Sequence, residues 1–547
     1  MRKRHPHKQN VFLVNITRLG DMLQATPTIA GLKMENPECK VTVLVEKQFE
    51  DVCHNIPNID TVMSLDLGMT VRSLAREGDG IIDAYEYVSE VVQDLRGKNF
   101  DYCLNMSSSP YTALLLKLVG ITRNGGWTAD EEGYRVIESD WAKLFATSVF
   151  HQNRQYNSLN LVDVFRCSAD VDKHPKQLLI KVTEKAKADV QSLLAQANFQ
   201  GDGPLVAIQA GASQGKRQWS REKFVRLIDN LCTQLNARVV LTGSKKELAI
   251  IDPIKAGCRS SNVFVAAGKT DIPQLAALLE ACDILITGDT GPMHMSVAVG
   301  TPVIAMFLAS AFGFETGPYS EGNIVLQPVI GCGPCNPNKP CAGLECHDTI
   351  SPDLVAYLTA RRLAAPDFEV PPDLAPPSQL MVYRSYFDRF GFCDLKAINT
   401  TQGDTMARYR EAYRNLWLDD LGDFKATQSQ VPKRSPLAVV DDGIEGLRQV
   451  VAQAEQGKVA IAELIKLIKD PRSSPKALAD TNSQLTVIDR EIEQLGYHFG
   501  HLGPLTRMFI FAKENLSGSE AISLASQMGD VYESLIRRGQ KLQSYLS

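Results

Sequence analysis

Short apolar runs alternate with stretches of helical spacing from residue 11 to about residue 360. Runs at 11–16, 40–46, 61–66 and 102–106 predict strands, each four to eight residues long and rich in Val, Ile, Leu and Phe. Between them, 26–36, 81–97, 111–119, 158–167 and 184–197 carry apolar residues at the three- and four-residue spacing of an amphipathic helix. The first of these helices opens on Thr26-Pro27, a cap residue with proline at the first helical position. Such alternation implies one doubly wound α/β domain over residues 10–200. After the break Gly201-Asp202-Gly203-Pro204 the pattern restarts. Strands at 205–209, 238–242, 263–266, 284–286 and 303–307 interleave with helices at 221–235, 246–256 and 272–282 and a helix-like run at 291–299. The expectation is a second domain over 201–365, with a ligand cleft where the two Rossmann-like domains face each other.

The character changes near Ala365. Residues 366–377 hold five prolines, so 366–380 reads as a stiff linker or chain crossing. Strand patterns then vanish, and 437–469, 485–495, 506–513 and 521–546 show helical spacing. Residues 381–547 are therefore expected to form a C-terminal all-helical appendage.

The stretch 283–303, DILITGDTGPMHMSVAVGTPV, concentrates the chemistry. A strand ends at Thr287-Gly288-Asp289-Thr290-Gly291, and a helix follows with His294 in its first turn. In parallel sheets ligands settle beyond the carboxyl ends of strands, where helix N-termini offer free N–H groups to anions. Asp289 and Thr290 can equally be plain helix caps. Two other strand ends repeat the theme. Gln209 to Trp219 carries Gly211, Gly215, Lys216 and Arg217, small residues and cations suited to a diphosphate. Thr242 to Glu247 carries Gly243, Ser244 and two lysines; Glu247 can accept from ribose hydroxyls or stand as a solvated helix-start glutamate. Gly211 and Gly215 are four apart, which fails the Walker A spacing, and no GxGxxG follows the first strand. Strand ends of one parallel sheet share an edge, so these three turns are expected to converge. In the first domain Asp21 follows Gly20 beyond the first strand, where a carboxylate can accept a proton from a hydroxyl nucleophile or bond its own turn.

Composition narrows the partners. With 547 residues, 44% apolar, 22% charged and a net charge of −5, the chain has ample core and is not suited to nucleic acid as its main partner. No apolar run reaches the 18 or so residues of a membrane span. The start, MRKRHPHKQN, is basic without a signal-peptide core, so the expected location is cytoplasmic, with peripheral contact to an anionic membrane surface open to the basic start. Of twelve cysteines, four crowd into one Gly/Pro/Asn-rich loop, 331–347, as Cys332, Cys335, Cys341 and Cys346. Four thiolates can enclose a structural Zn or Fe ion, or stay as free thiols or a labile disulfide. Four protein ligands leave no open position, so no catalytic metal is expected.

Two motifs, Thr17-Arg18-Leu19-Gly20-Asp21-Met22-Leu23-Gln24-Ala25-Thr26-Pro27 and Gly288-Asp289-Thr290-Gly291-Pro292-Met293-His294, resemble those of the bacterial ADP-heptose:lipopolysaccharide heptosyltransferases, family 9 glycosyltransferases of the GT-B fold. The resemblance covers about 10–360. It implies that Asp21 is the general base and that Lys216 contacts the donor diphosphate. Asp289, Thr290, Gly291 and His294 would form the donor-binding turn, and Glu247 falls near a ribose-binding glutamate. It implies inverting transfer of a sugar, heptose from ADP-heptose, to a lipopolysaccharide-core-type hydroxyl at the inner face of the inner membrane. Some members carry an iron-binding Cys-rich loop and act on proteins, so the acceptor is a lipid-linked saccharide or a protein. Donors with another base or sugar, and a degenerate scaffold without activity, are the rival readings. The helical appendage lies outside the resemblance and is expected to recruit an acceptor or drive homo-oligomerisation.

Overall fold

A computed structural model describes residues 8–341, 343–401, 405–422, 424 and 442–546. Among these, the strands form a four-stranded sheet, an eight-stranded sheet and one small hairpin, Trp127–Ala129 with Arg135–Ile137. The four-stranded sheet runs Thr61–Leu65, Lys40–Glu46, Asn10–Val14, Tyr102–Asn105, every pair parallel. Helices cover both faces, which is why Val11 to Val14 read as an unbroken apolar run and are wholly buried.

The larger sheet is parallel over Ile324–Pro328, Val303–Met306, Ile284–Gly288, Leu205–Gln209, Arg238–Thr242 and Val263–Val265, in that spatial order. An antiparallel hairpin, Leu380–Phe387 and Cys393–Ala397, extends it beyond Ile324–Pro328. The expectation that strands end before residue 381 is thus wrong at its start. Ser385 hides the alternation: it points inward, 1% exposed, because its Oγ accepts from the Asn323 amide at 3.0 Å. The proline-rich stretch is no free linker either, since Phe368, Val370 and Ala375 bury in the core of the large sheet. Helix Glu184–Ala195 departs from the expected 10–200 unit as well. Its Ala186 and Val190 pack with Leu205, Ala207 and Leu278, on the large sheet's side.

Five long helices follow the hairpin: Thr405–Gly422, Asp442–Lys469, Pro475–His498, Gly503–Glu514 and Ala521–Leu546. The expected helix start at 437 falls in 437–441, outside the described residues. These helices do not stand apart. Tyr409, Tyr413, Trp417, Leu447 and Tyr532 share one core with Trp141, Leu144, Tyr156, Val164 and Cys167. Gly457 leaves room for the Tyr532 ring, which a β-carbon would overlap.

Helix Leu161–Ser168 is buried on every side, between the two sheets and the C-terminal helices. It carries an ion pair into that interior: Arg166 Nε donates to Asp163 Oδ1 at 2.7 Å. The Tyr319 hydroxyl donates to the same oxygen at 2.8 Å, and the Cys393 amide to Oδ2 at 2.8 Å. Burial opposes the charge on Arg166, yet its neighbours, Asp163 among them, hold its pKa above the ordinary value. Removing one partner of such a pair strands the other charge. Asp163→Ala is expected to cost about 3–5 kcal/mol of unfolding free energy. Urea titration of both proteins checks this, and a loss near zero would show that the pair does not hold this junction together.

Candidate active site

Strands Ile284–Gly288, Leu205–Gln209 and Arg238–Thr242 are neighbours and parallel, so their carboxyl ends open side by side. The turns that follow them line a cavity of about 520 Å³ together with Arg18, Gly20, Asp21 and Gln24, which follow the strand Asn10–Val14 of the small sheet. Asp21, Glu247, Asp289, Thr290, Gly291 and His294 all border it. Lys216 does not.

Asp21 lies in a six-residue helix, Leu19–Gln24, that the sequence reads as a turn. Thr26 is correspondingly not a cap: helix Thr26–Glu35 starts on it, and its Oγ1 donates to Leu23 O at 2.7 Å. The Thr17 hydroxyl stands 2.6 Å from Asp21 Oδ2 and 2.7 Å from Asn15 Oδ1. Burial pushes the Asp21 carboxyl above its usual range. The Thr17 bond and Arg18 pull it back, and Asp289 adds to the rise. A carboxylate held this way is more basic than a solvated one.

Helix Gly291–Val299 begins without a side-chain cap; Pro292 has no N–H and the Met293 amide donates to Thr290 O at 3.1 Å, so the Gly291 amide is the one turned to a ligand. Thr290 Oγ1 is instead 2.9 Å from Thr287 Oγ1. Asp289 accepts from Arg217 Nη1 at 3.3 Å and from Thr316 Oγ1 at 3.2 Å. His294 is buried, and burial lowers its pKa against the opposing pull of Asp289 and Asp21. A neutral ring results, with Nε2 3.2 Å from Gln24 Nε2. The two motifs therefore touch rather than face each other across a gap. A β-carbon on Gly20 would lie 2.9 Å from His294 Cδ2, and one on Gly291 would lie 3.3 Å from Leu19 Cδ2.

Glu247 works locally as well as lining the cavity. Its Oε2 accepts from the Ser244 amide at 2.7 Å and hydroxyl at 2.8 Å, a capping box, and Oε1 accepts from Gln209 Nε2 at 2.9 Å. Gly211 is required beside it, since a β-carbon there would overlap the carboxyl.

The structure departs from the expected role of Lys216. Its Nζ donates to the carbonyls of Asn336, Pro337 and Lys339, each at 2.9 Å, and so pins the cysteine loop. Arg217 lines the cavity instead, with Nε and Nη2 on Ser310 Oγ at 3.1 and 2.8 Å. The short 3-10 turn Gly215–Arg217 separates the directions of the two adjacent side chains.

The four-cysteine metal site is also corrected. Cys332, Cys335, Cys341 and Cys346 are free thiols, and among the described residues no three His, Cys, Asp or Glu side chains gather as a metal would need. Cys346 lies on the short helix Glu345–Asp348 and turns into the core of the large sheet, while Cys332 and Cys341 are exposed. The donor set does not fit a metal ion as placed.

Sequence reasoning missed Arg154, Ser310, Glu315 and Thr316, all at the cavity. Arg154 comes from a four-residue helix, His151–Arg154, and the others from a connection after strand Val303–Met306, where neither spacing nor motif marks them. Among the described residues, no helix is long and apolar enough to cross a membrane.

Residues 88–343 match the family model for glycosyltransferase family 9 (heptosyltransferase). The chain is 27% identical over 319 residues to lipopolysaccharide heptosyltransferase 3 of Escherichia coli strain K12, covering 56% of this chain and 84% of that protein. It is 26% identical to the lipopolysaccharide core heptosyltransferase OpsX of Haemophilus influenzae, covering 57% and 82%. Among solved structures, the glycosyl transferase family 9 protein of Veillonella parvula superposes with a TM-score of 0.52 at 20% identity, over 65% of this chain and 97% of that one. That likeness is one of fold.

Proposed function

We propose that this chain is a glycosyltransferase of family 9, the heptosyltransferase family, and that it moves heptose from ADP-heptose to a hydroxyl of a lipopolysaccharide-core-type acceptor, with inversion. The observation that carries this reading is the single cavity that joins Asp21 to the three strand-end turns. In this reading the two sheets form the halves of a GT-B enzyme, the large sheet holding the donor and the small one presenting the acceptor.

Asp21 takes the proton of the acceptor hydroxyl as its oxygen attacks the anomeric carbon. The bond from that carbon to the diphosphate oxygen breaks, and ADP leaves with the electron pair. Arg217 and the Gly291 amide at the start of helix Gly291–Val299 sit where that charge develops and offset it. Glu247, already oriented by Gln209 and Ser244, retains lone pairs for ribose hydroxyls. His294, neutral and packed on Gly20, shapes the sugar end of the site. Such chemistry belongs at the cytoplasmic face of the inner membrane, where the acceptor is built.

Mass spectrometry of the protein with a panel of ADP-, UDP- and GDP-sugars, with and without heptose-deficient lipopolysaccharide, tests the proposal. Transfer is expected from ADP-heptose. Transfer from another donor, or onto the protein fraction alone, would replace the donor or the acceptor in this reading.

A further inference from the structure

Arg154 reaches the cavity from a segment that the C-terminal helices hold. On the cavity side its Nη1 donates to Ser310 O at 2.9 Å and its Nε lies 3.1 Å from Glu315 Oε2. Those two contacts grip the connection 308–316 at both ends. The hydroxyls of that connection face the donor turn: Ser310 Oγ holds Arg217, and Thr316 Oγ1 donates to Asp289. Arg154 itself is thus one step removed from Arg217, the side chain assigned to the diphosphate, and from its partner Asp289.

On the opposite side, helix Thr405–Gly422 grips the residues just after Arg154. Arg414 Nη1 donates to Ser158 O at 2.6 Å, and Arg410 Nη1 to Gln155 O at 3.3 Å. Tyr409 packs edge-on against Tyr156, ring centroids 6.2 Å apart. Arg410 also lies over the ring of Phe314, 4.7 Å from its centroid, and so touches the connection 308–316 directly. Tyr156, Ser158, Tyr409, Arg410 and Arg414 are buried, where hydrogen bonds and ion pairs resist rearrangement more than on a wet surface.

We propose that Arg410 and Arg154 are positioning residues, through which the C-terminal helix Thr405–Gly422 fixes the connection 308–316 and thereby Arg217, the cation that meets the donor diphosphate, and its partner Asp289. This rests on the donor assignment above and gives the C-terminal helices a part in transfer. The unbranched chain links are short, and a misplacement near 1 Å at a reacting group costs about 10²-fold in rate, so a brace at this point has leverage.

The test uses the full-length protein. Arg410→Met keeps apolar contact with Phe314 but loses both the charge and the bond to Gln155. It is expected to raise the KM for ADP-heptose about tenfold, an effect of the size that coupled contacts show, with ADP-heptose turnover partly recovered in Arg410→Lys. Amide hydrogen exchange over 308–316 is expected to quicken in Arg410→Met. In a background of Arg154→Met with Glu315→Gln, which removes the link without stranding a buried carboxylate, Arg410→Met is expected to add less than about twofold. Equal losses in both backgrounds, or unchanged exchange over 308–316, would overturn the proposal. The exchange measurement needs no substrate, so a wild-type protein that ignores ADP-heptose would sink the donor assignment without deciding the brace.

Discussion

Asp21→Asn is expected to cut heptose transfer by about 10²–10⁴-fold, the range for loss of a positioned general base, while leaving ADP affinity in place. Asparagine keeps the size of the side chain and its partner Thr17 but cannot take the acceptor proton. The pH dependence carries a second signature. Burial raises the Asp21 pKa above its ordinary 3.8, so the active, ionised form is lost as pH falls through a value above that figure. The acid limb of kcat/KM should therefore lie above the ordinary carboxylate range and vanish in Asp21→Asn. The stability sign runs the other way. A carboxyl whose folded pKa is raised favours folding in its protonated form, and that contribution is lost as pH rises through the folded pKa. At neutral pH the ionised Asp21 is thus a burden on the fold, and Asp21→Asn is expected to melt slightly higher than wild type. A variant that retains transfer, or keeps the acid limb, would remove Asp21 from the base role.

Arg217→Met is expected to weaken ADP binding and to lower kcat by about 10²–10³-fold, as removal of one preorganised group at a developing charge does. Arg217 already spans Asp289 and Ser310, so a departing diphosphate meets a cation whose position is set before reaction. Lys216→Met is the informative comparison. Lys216 spends its ammonium on three carbonyls of the cysteine loop, so its loss should loosen that loop and leave ADP affinity closer to wild type. Isothermal titration of ADP against both variants decides the matter. A larger loss in Lys216→Met than in Arg217→Met would return the diphosphate to Lys216.

Much of this site was legible as sequence because it depends on local order. A strand, a Gly-bearing turn and a helix repeat at Gln209, Thr242 and Gly288, and parallel pairing alone forces such turns onto one edge. Asp289, Thr290 and His294 follow from where they sit in that unit, Asp21 from its place beyond the first strand of the other sheet, and the alternation of apolar runs and helical spacing determined the α/β class. What only the tertiary structure decided is direction and company. Adjacent Lys216 and Arg217 look interchangeable along the chain, yet one tight turn sends the first to the cysteine loop and the second to the cavity. Four cysteines within fifteen residues suggest a metal, but Cys346 is drawn into an apolar core that the spacing does not reveal. Ser385 and the short hairpin strand it sits in read as irregular because a buried hydrogen bond, not hydrophobicity, turns it inward. Arg154, Glu315 and Arg410 come from segments distant in the chain that carry no motif. Their meeting is set by packing of the C-terminal helices against residues 141–167, and long-range packing leaves no periodic mark in a sequence.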